Sequence, residues 1–144
     1  MVDTDGDQLS DDWEMLNFGN LSAGLREDPD GDREDNFSEY AFGTNPKDAN
    51  SKTSFRPTLT GTGADRQFAV TFQRRAGSCV DYIIDSSPDL TPWTSSGATV
   101  NVIEPFKNLF DGTGTGQTTC QLTAPVQGQP RTFLRMRAVP RIQP

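Results

Sequence analysis

One acidic spacing occurs twice within the first forty residues of this chain. The first copy runs Asp3-x-Asp5-x-Asp7-x-Leu9-x-Asp11-x-x-Glu14, the second Asp28-x-Asp30-x-Asp32-x-Glu34-x-Asn36-x-x-Glu39. Counted from its first Asp, each copy carries side-chain oxygens at positions 1, 3, 5, 9 and 12, with a backbone carbonyl to offer at position 7. This spacing restricts the fold severely. Alternate residues of a tight loop turn their oxygens inward, and a Glu in the helix that follows closes the shell with both carboxylate oxygens. Several carboxylates then share one small volume, which repels itself unless a cation neutralises it.

That is the ligand grammar of an EF-hand calcium loop. Calcium is a hard cation that takes six to eight oxygens at about 2.3–2.6 Å, and two ions are expected. The first falls to Asp3, Asp5, Asp7, the Leu9 carbonyl, Asp11 and Glu14. The second falls to Asp28, Asp30, Asp32, the Glu34 carbonyl, Asn36 and Glu39. The competing reading is a solvated, disordered acidic run. Such a run has no reason to place Glu at position 12 twice and to follow each loop with apolar residues. Two departures stand out. Position 6, where such loops favour Gly, holds Gln8 and Arg33, while the glycines sit earlier, at Gly6 and Gly31. A non-Gly residue in a left-handed conformation costs roughly 1–2 kcal/mol, so weaker binding is expected. Only Met1 and Val2 precede the first loop, so each unit reads as a loop plus an exit helix. The spacing predicts helices from near Asp11 through Phe18, stopped at Gly19, and from about Asn36 to Phe42, stopped at Gly43.

The loop-plus-exit-helix pair resembles dockerin modules and, more closely, bacterial thrombospondin type 3-like repeats. In those repeats the second loop commonly ends in an Asn, a Glu-Tyr and a Gly-Thr-x-Pro; here these are Asn36, Glu39-Tyr40 and Gly43-Thr44-Asn45-Pro46. The resemblance covers residues 3 to 46. A weaker one continues through DYIIDSSPDLTPW and RTFLRMRA, which look like the β-rich module that often follows such repeats. It implies calcium binding and an extracellular or cell-surface setting, and it supplies no enzymatic activity.

Charge divides the chain. Residues 1–50 carry 14 acidic and 3 basic side chains, a net −11, and residues 51–144 carry 6 acidic and 10 basic, a net +4. The acidic half argues against nucleic-acid binding there, and the scattered basic excess reads as ordinary surface. No run of eighteen apolar residues predicts a membrane span. Cys79 and Cys120 are the only cysteines. In a secreted, calcium-binding setting they are expected as one disulfide, against the alternative of two buried thiols.

Lys47 to Ser54 is polar and aperiodic and reads as a linker. Beyond it come short alternating segments: Phe55 to Thr60 with Pro57 favouring an edge, Gln67 to Gln73 with Phe68, Val70 and Phe72 on one face, Cys79 to Ser86, Ala98 to Glu104, a strand through Thr118, Cys120 and Leu122, and Thr132 to Val139 with Leu134, Met136 and Ala138 facing in and Arg135 and Arg137 facing out. Phe106 to Gly116 reads as a glycine-rich loop. The expected fold is α+β: a two-loop EF-hand-like segment over residues 1–50, then an antiparallel β-sandwich with a Pro-rich tail over 51–144.

The chain has no His, which removes Ser-His-Asp and Cys-His systems. Asp81 and Asp85 fall on one side of a strand and read as a solvated face. The expected function is therefore a non-catalytic extracellular structural module, a subunit or terminal piece of a surface assembly that self-associates or binds a protein partner. The alternatives are dockerin-like recognition through Trp13, Leu16, Phe37 and Tyr40, and carbohydrate binding by the sandwich.

Overall fold

The computed structural model describes residues 2–76, 80–95, 100–109, 114–122 and 133–141. Two helices come first, α1 (Asp11–Asn17) and α2 (Asn36–Phe42). Each has seven residues, too few to hold a helix in water by propensity alone. Caps and burial supply the rest. The Ser10 hydroxyl accepts from the Trp13 amide at 3.3 Å, and the Asp35 carboxylate accepts from the Ser38 amide at 2.9 Å. Gly43, at φ 75°, ends α2 in the left-handed conformation and donates its amide to the Glu39 carbonyl at 2.7 Å.

Seven strands follow in two antiparallel sheets, so the chain is mixed α+β with a β-rich part. They are β1 (Phe55–Thr60), β2 (Gln67–Arg75), β3 (Val80–Ser87), β4 (Thr94–Ser95), β5 (Val100–Asn108), β6 (Thr115–Leu122) and β7 (Phe133–Pro140). One sheet is ordered β1-β2-β6-β5, the other β4-β3-β7. Pro57 lies on β1, which among the described residues pairs only with β2, so its missing N–H is harmless at that edge. The two ends of the expected loop over Phe106 to Gly116 are strand, since β5 runs on to Asn108 and β6 begins at Thr115, while residues 110–113 lie outside the described residues. The β5–β6 register shifts on either side of Glu104. Pro105 has no amide to give, and the irregularity lets β5 resume past it. Gly116 is required there, because a Cβ would meet the Lys107 carbonyl and the Phe106 ring.

The helices and sheets share one core. Leu9, Trp13, Phe37, Tyr40, Ala41 and Phe42 join Val70, Phe72, Val80, Ile84 and Cys120 in a single buried cluster. α2 docks through specific contacts. Phe42 meets the Phe55 and Tyr82 rings edge-on at 5.7 and 5.6 Å. The Tyr82 hydroxyl donates to the Ala41 carbonyl at 2.7 Å and accepts from the Arg75 amide at 2.9 Å. Arg75 donates from Nε to the Tyr40 carbonyl at 2.7 Å and lies over the Tyr40 ring at 4.2 Å. Burial pulls its guanidinium below the usual arginine range, against the favourable fields of Tyr40 and Tyr82.

Two sequence expectations are corrected here, and a third falls partly outside the described residues. Asp85 is not on a solvated face. It is buried and bonds Arg135 Nη2 at 2.7 Å, Arg137 Nε at 2.8 Å and the Ser95 hydroxyl at 2.9 Å. Asp85 lies opposite Arg135 across β3 and β7, so the face expected to carry two arginines outward carries their counter-ion too. Residues 47–54 are not a free linker, because Lys52 and Thr53 bond the second acidic loop. Cys120 is a buried free thiol; its expected partner, Cys79, lies outside the described residues.

Candidate metal centre

The two acidic loops share a set of hydrogen bonds at positions 1, 5 and 9. At position 1 the Asp3 and Asp28 carboxylates each accept from the position-4 amide, Gly6 or Gly31, at 2.8 Å. They also accept from the position-6 amide, Gln8 at 3.0 Å and Arg33 at 2.9 Å. At position 5 Asp7 and Asp32 each accept from the position-7 amide, Leu9 or Glu34, at 2.8 Å. The position-9 amides, Asp11 and Asn36, donate to the residue just before the loop, Val2 and Glu27, at 3.0 and 2.8 Å. Gln8 and Arg33 take φ of 83° and 81°, so the chain does turn left-handed at position 6 without glycine. The amide each gives to the first Asp offsets part of that cost.

The fold gathers Asp3, Asp5 and Asp7 in one group and Asp28, Asp30 and Asp32 in another, with one oxygen from each residue within 4.8 Å of the others. Glu14 and Glu39 stand outside those triplets, one turn into their helices. Both are fully buried, and among the described residues all four of their carboxylate oxygens are without a hydrogen-bond partner. Asp7 Oδ2, Asp30 Oδ2 and Asn36 Oδ1 are buried and unpartnered too. Leaving such groups unmatched costs about 1–3 kcal/mol each, more when charged.

The electrostatics match. Burial pushes Glu39 up to about 8, and the charges of Asp30, Asp32, Glu34 and Asp28 add to it. Burial also raises Glu14, helped by the charges of Asp7 and Asp5. Asp7 is raised as well, by burial first, with the Leu9 amide opposing and Asp5 and Asp3 reinforcing. A divalent cation reverses every one of these costs, and the donor set is all hard oxygen, which suits calcium over softer metals.

Not every expected ligand points the same way. Both Asp11 oxygens serve Thr4, accepting its amide at 2.7 Å and its hydroxyl at 2.6 Å. The Leu9 side chain is core, and the Glu34 side chain accepts from the Thr53 amide and hydroxyl at 3.0 and 2.7 Å, so only backbone carbonyls are left for these positions. Asn36 is oriented by its Nδ2, which donates to the Gly24 carbonyl at 2.8 Å. Sequence reading missed Lys52, whose ammonium bonds Asp32 Oδ2 at 2.9 Å and the Asp32 carbonyl at 3.1 Å. With the Glu34 amide, it holds Asp32 below the usual carboxylate range. No local pattern marks Lys52, because its partner is twenty residues away. Comparison with protein-family models, with curated proteins and with solved structures finds no match for this chain.

Proposed function

We propose that each acidic loop holds one calcium ion, and that the chain is a non-catalytic, extracellular structural module stabilised by those ions. The observation that carries the reading is the pair of fully buried Glu14 and Glu39 side chains, each at position 12 of its loop with both oxygens unpartnered. Asp3, Asp5, Asp7 and Glu14 hold the first ion with the Leu9 carbonyl; Asp11, turned to Thr4, supports the loop from outside. Asp28, Asp30, Asp32, Asn36 and Glu39 hold the second with the Glu34 carbonyl. The ion supplies positive charge that lets these carboxylates pack together. The chain's own residues set the loop geometry and carry it into the core through Leu9, Trp13 and Tyr40–Phe42.

An extracellular setting suits these loops. Calcium there is millimolar, so sites of about 10⁻⁴–10⁻³ M fill even with the strained position 6. Recognition through the exit helices is the weaker reading, since Trp13, Phe37 and Tyr40 are buried in the core. Its support is confined to Met15 and Leu16, exposed on α1. Carbohydrate binding has less: Trp93 lies against the Arg135 guanidinium at 4.4 Å.

Titration calorimetry tests the metal assignment. The wild type is expected to take up two calcium ions, and Glu14→Gln and Glu39→Gln one each. Unchanged two-site binding in either variant refutes it. Light-scattering mass in millimolar calcium and in chelator tests the structural role. Polymers that form in calcium and dissolve in chelator identify an assembly subunit, whereas a monomer in both identifies a spacer.

A further inference from the structure

The two loops share the amide bonds of their position-1 and position-5 carboxylates, and they differ at the second oxygen of position 5. In the first loop, Asp7 Oδ1 accepts the Leu9 amide and Asp7 Oδ2 is buried without a partner. In the second, Asp32 Oδ1 accepts the Glu34 amide in the same way, but Asp32 Oδ2 holds the Lys52 ammonium at 2.9 Å. Among the described residues, no Lys or Arg side chain pairs with a carboxylate of the first loop. Lys52 is not a loose surface charge. Its Nζ also donates to the Asp32 backbone carbonyl at 3.1 Å. The next residue, Thr53, is fastened to Glu34 by its amide and hydroxyl. The chain thus delivers a cation to the position-5 oxygen of the second loop and anchors the backbone that delivers it.

We propose that Lys52 is a tethered competitor for the cation of the second loop, making it the weaker site and the last to fill. The proposal rests on the calcium reading above. Its physics is simple. A fixed positive charge in contact with one ligand oxygen lowers the affinity of that site for any further cation, and a divalent ion must displace or tolerate it. The first loop has no such charge. Lys52 stays solvent-accessible, with its side chain 54% exposed against 1% for Asp32, so it has room to swing away.

The test uses the whole chain and calcium alone as the probe. Glu14→Gln isolates the second site, and Lys52→Gln and Lys52→Arg are made in that background. Calorimetric titration at low salt is expected to give a second-site affinity about three- to tenfold higher with Lys52→Gln, and close to the Glu14→Gln parent with Lys52→Arg. High salt is expected to shrink the difference, since the competing charge is exposed. An unchanged or lower affinity with Lys52→Gln overturns the proposal while leaving calcium binding intact. Absence of calcium binding in the wild type overturns the metal reading and this proposal with it. A Lys52→Gln chain with the wild-type circular dichroism spectrum in chelator separates competition from a folding defect. A changed spectrum marks Lys52 as structural and also overturns the proposal.

Discussion

Glu39→Gln is expected to stabilise the protein in chelator and destabilise it in calcium. Glu39 is fully buried with no partner for either oxygen, and it is pushed up to about 8 by burial and by the carboxylates of Asp30, Asp32, Glu34 and Asp28. A raised folded-state pKa means that the folded chain binds the proton more tightly than the unfolded chain. The associated stability is fully present below the ordinary Glu range and is lost as pH rises through about 8. At neutral pH the metal-free protein therefore carries a penalty. Each pKa unit corresponds to about 1.36 kcal/mol, and allowance for solvent screening leaves roughly 2 kcal/mol. Gln keeps the shape and removes the charge, so it recovers about that amount, roughly 5 °C in melting temperature for a chain of this size. In calcium the sign reverses. An ion at about a hundredfold excess over its dissociation constant stabilises by about 2.7 kcal/mol, and Gln cannot offer a charged, two-oxygen grip. Thermal melts of wild type and variant by circular dichroism, in chelator and in millimolar calcium, should cross. A variant less stable than wild type in chelator, or one with an undiminished calcium response, refutes the reasoning.

Gly43→Ala is expected to cost about 2–4 kcal/mol, measured by urea unfolding, because it adds left-handed strain to overpacking. Its Cβ would meet Thr115 Cγ2 at 2.6 Å and Gln73 Nε2 at 2.9 Å, whereas Gly6→Ala, with nothing within 4 Å, should cost only the strain. Tyr82→Phe leaves the Ala41 carbonyl and the Arg75 amide without the hydroxyl that joins them, and should cost about 2 kcal/mol in the same assay with little change in calcium affinity. Asp85 is held well below the usual carboxylate range, by Arg137 foremost and by Arg135 and Ser95, against the cost of its burial. Its stabilisation is therefore present above the ordinary Asp range and lost as pH falls through the depressed value. The stability gap between wild type and Asp85→Asn should be about 2–3 kcal/mol near neutral pH and should begin to shrink only below about pH 4, vanishing toward the depressed value. A gap independent of pH counts against the ion pair.

The helices were legible because everything that defines them is local. Position 12 fixes where each Glu must sit, and Gly19 and Gly43 mark the stops; the observed helices, Asp11–Asn17 and Asn36–Phe42, follow from that spacing. Alternation placed Val70 and Phe72 on the core face of β2 for the same reason. What alternation cannot report is the content of the opposite face. It put Asp85, Arg135 and Arg137 there and left them in solvent, although the β3–β7 pairing brings together residues fifty apart. Lys52 escaped notice similarly, its role being defined by an oxygen twenty positions back. The expected loop from Phe106 to Gly116 is too long at both ends, because glycine density suggests a turn where β5 and β6 are still paired. Here Gly116 serves close approach between paired strands.

The junction between the acidic segment and the sheets follows from how each loop ends. Glu39 lies at position 12 and is followed directly by Tyr40, Ala41 and Phe42, the residues that dock on Arg75, Tyr82 and Phe55. The position-12 side chain of the second acidic loop and the side chains that fix the helix to the sheets thus share a single helical turn. Leu9 does the same for the first loop: it stands at position 7 while its side chain sits in the common core beside Trp13. Charge relieved at either loop is therefore felt by the packing of the whole chain. That coupling requires the core to be continuous, because a flexible hinge after Pro46 would have let the loops load without consequence for the sheets. The bonds from Lys52 and Thr53 back to Asp32 and Glu34 close off that hinge.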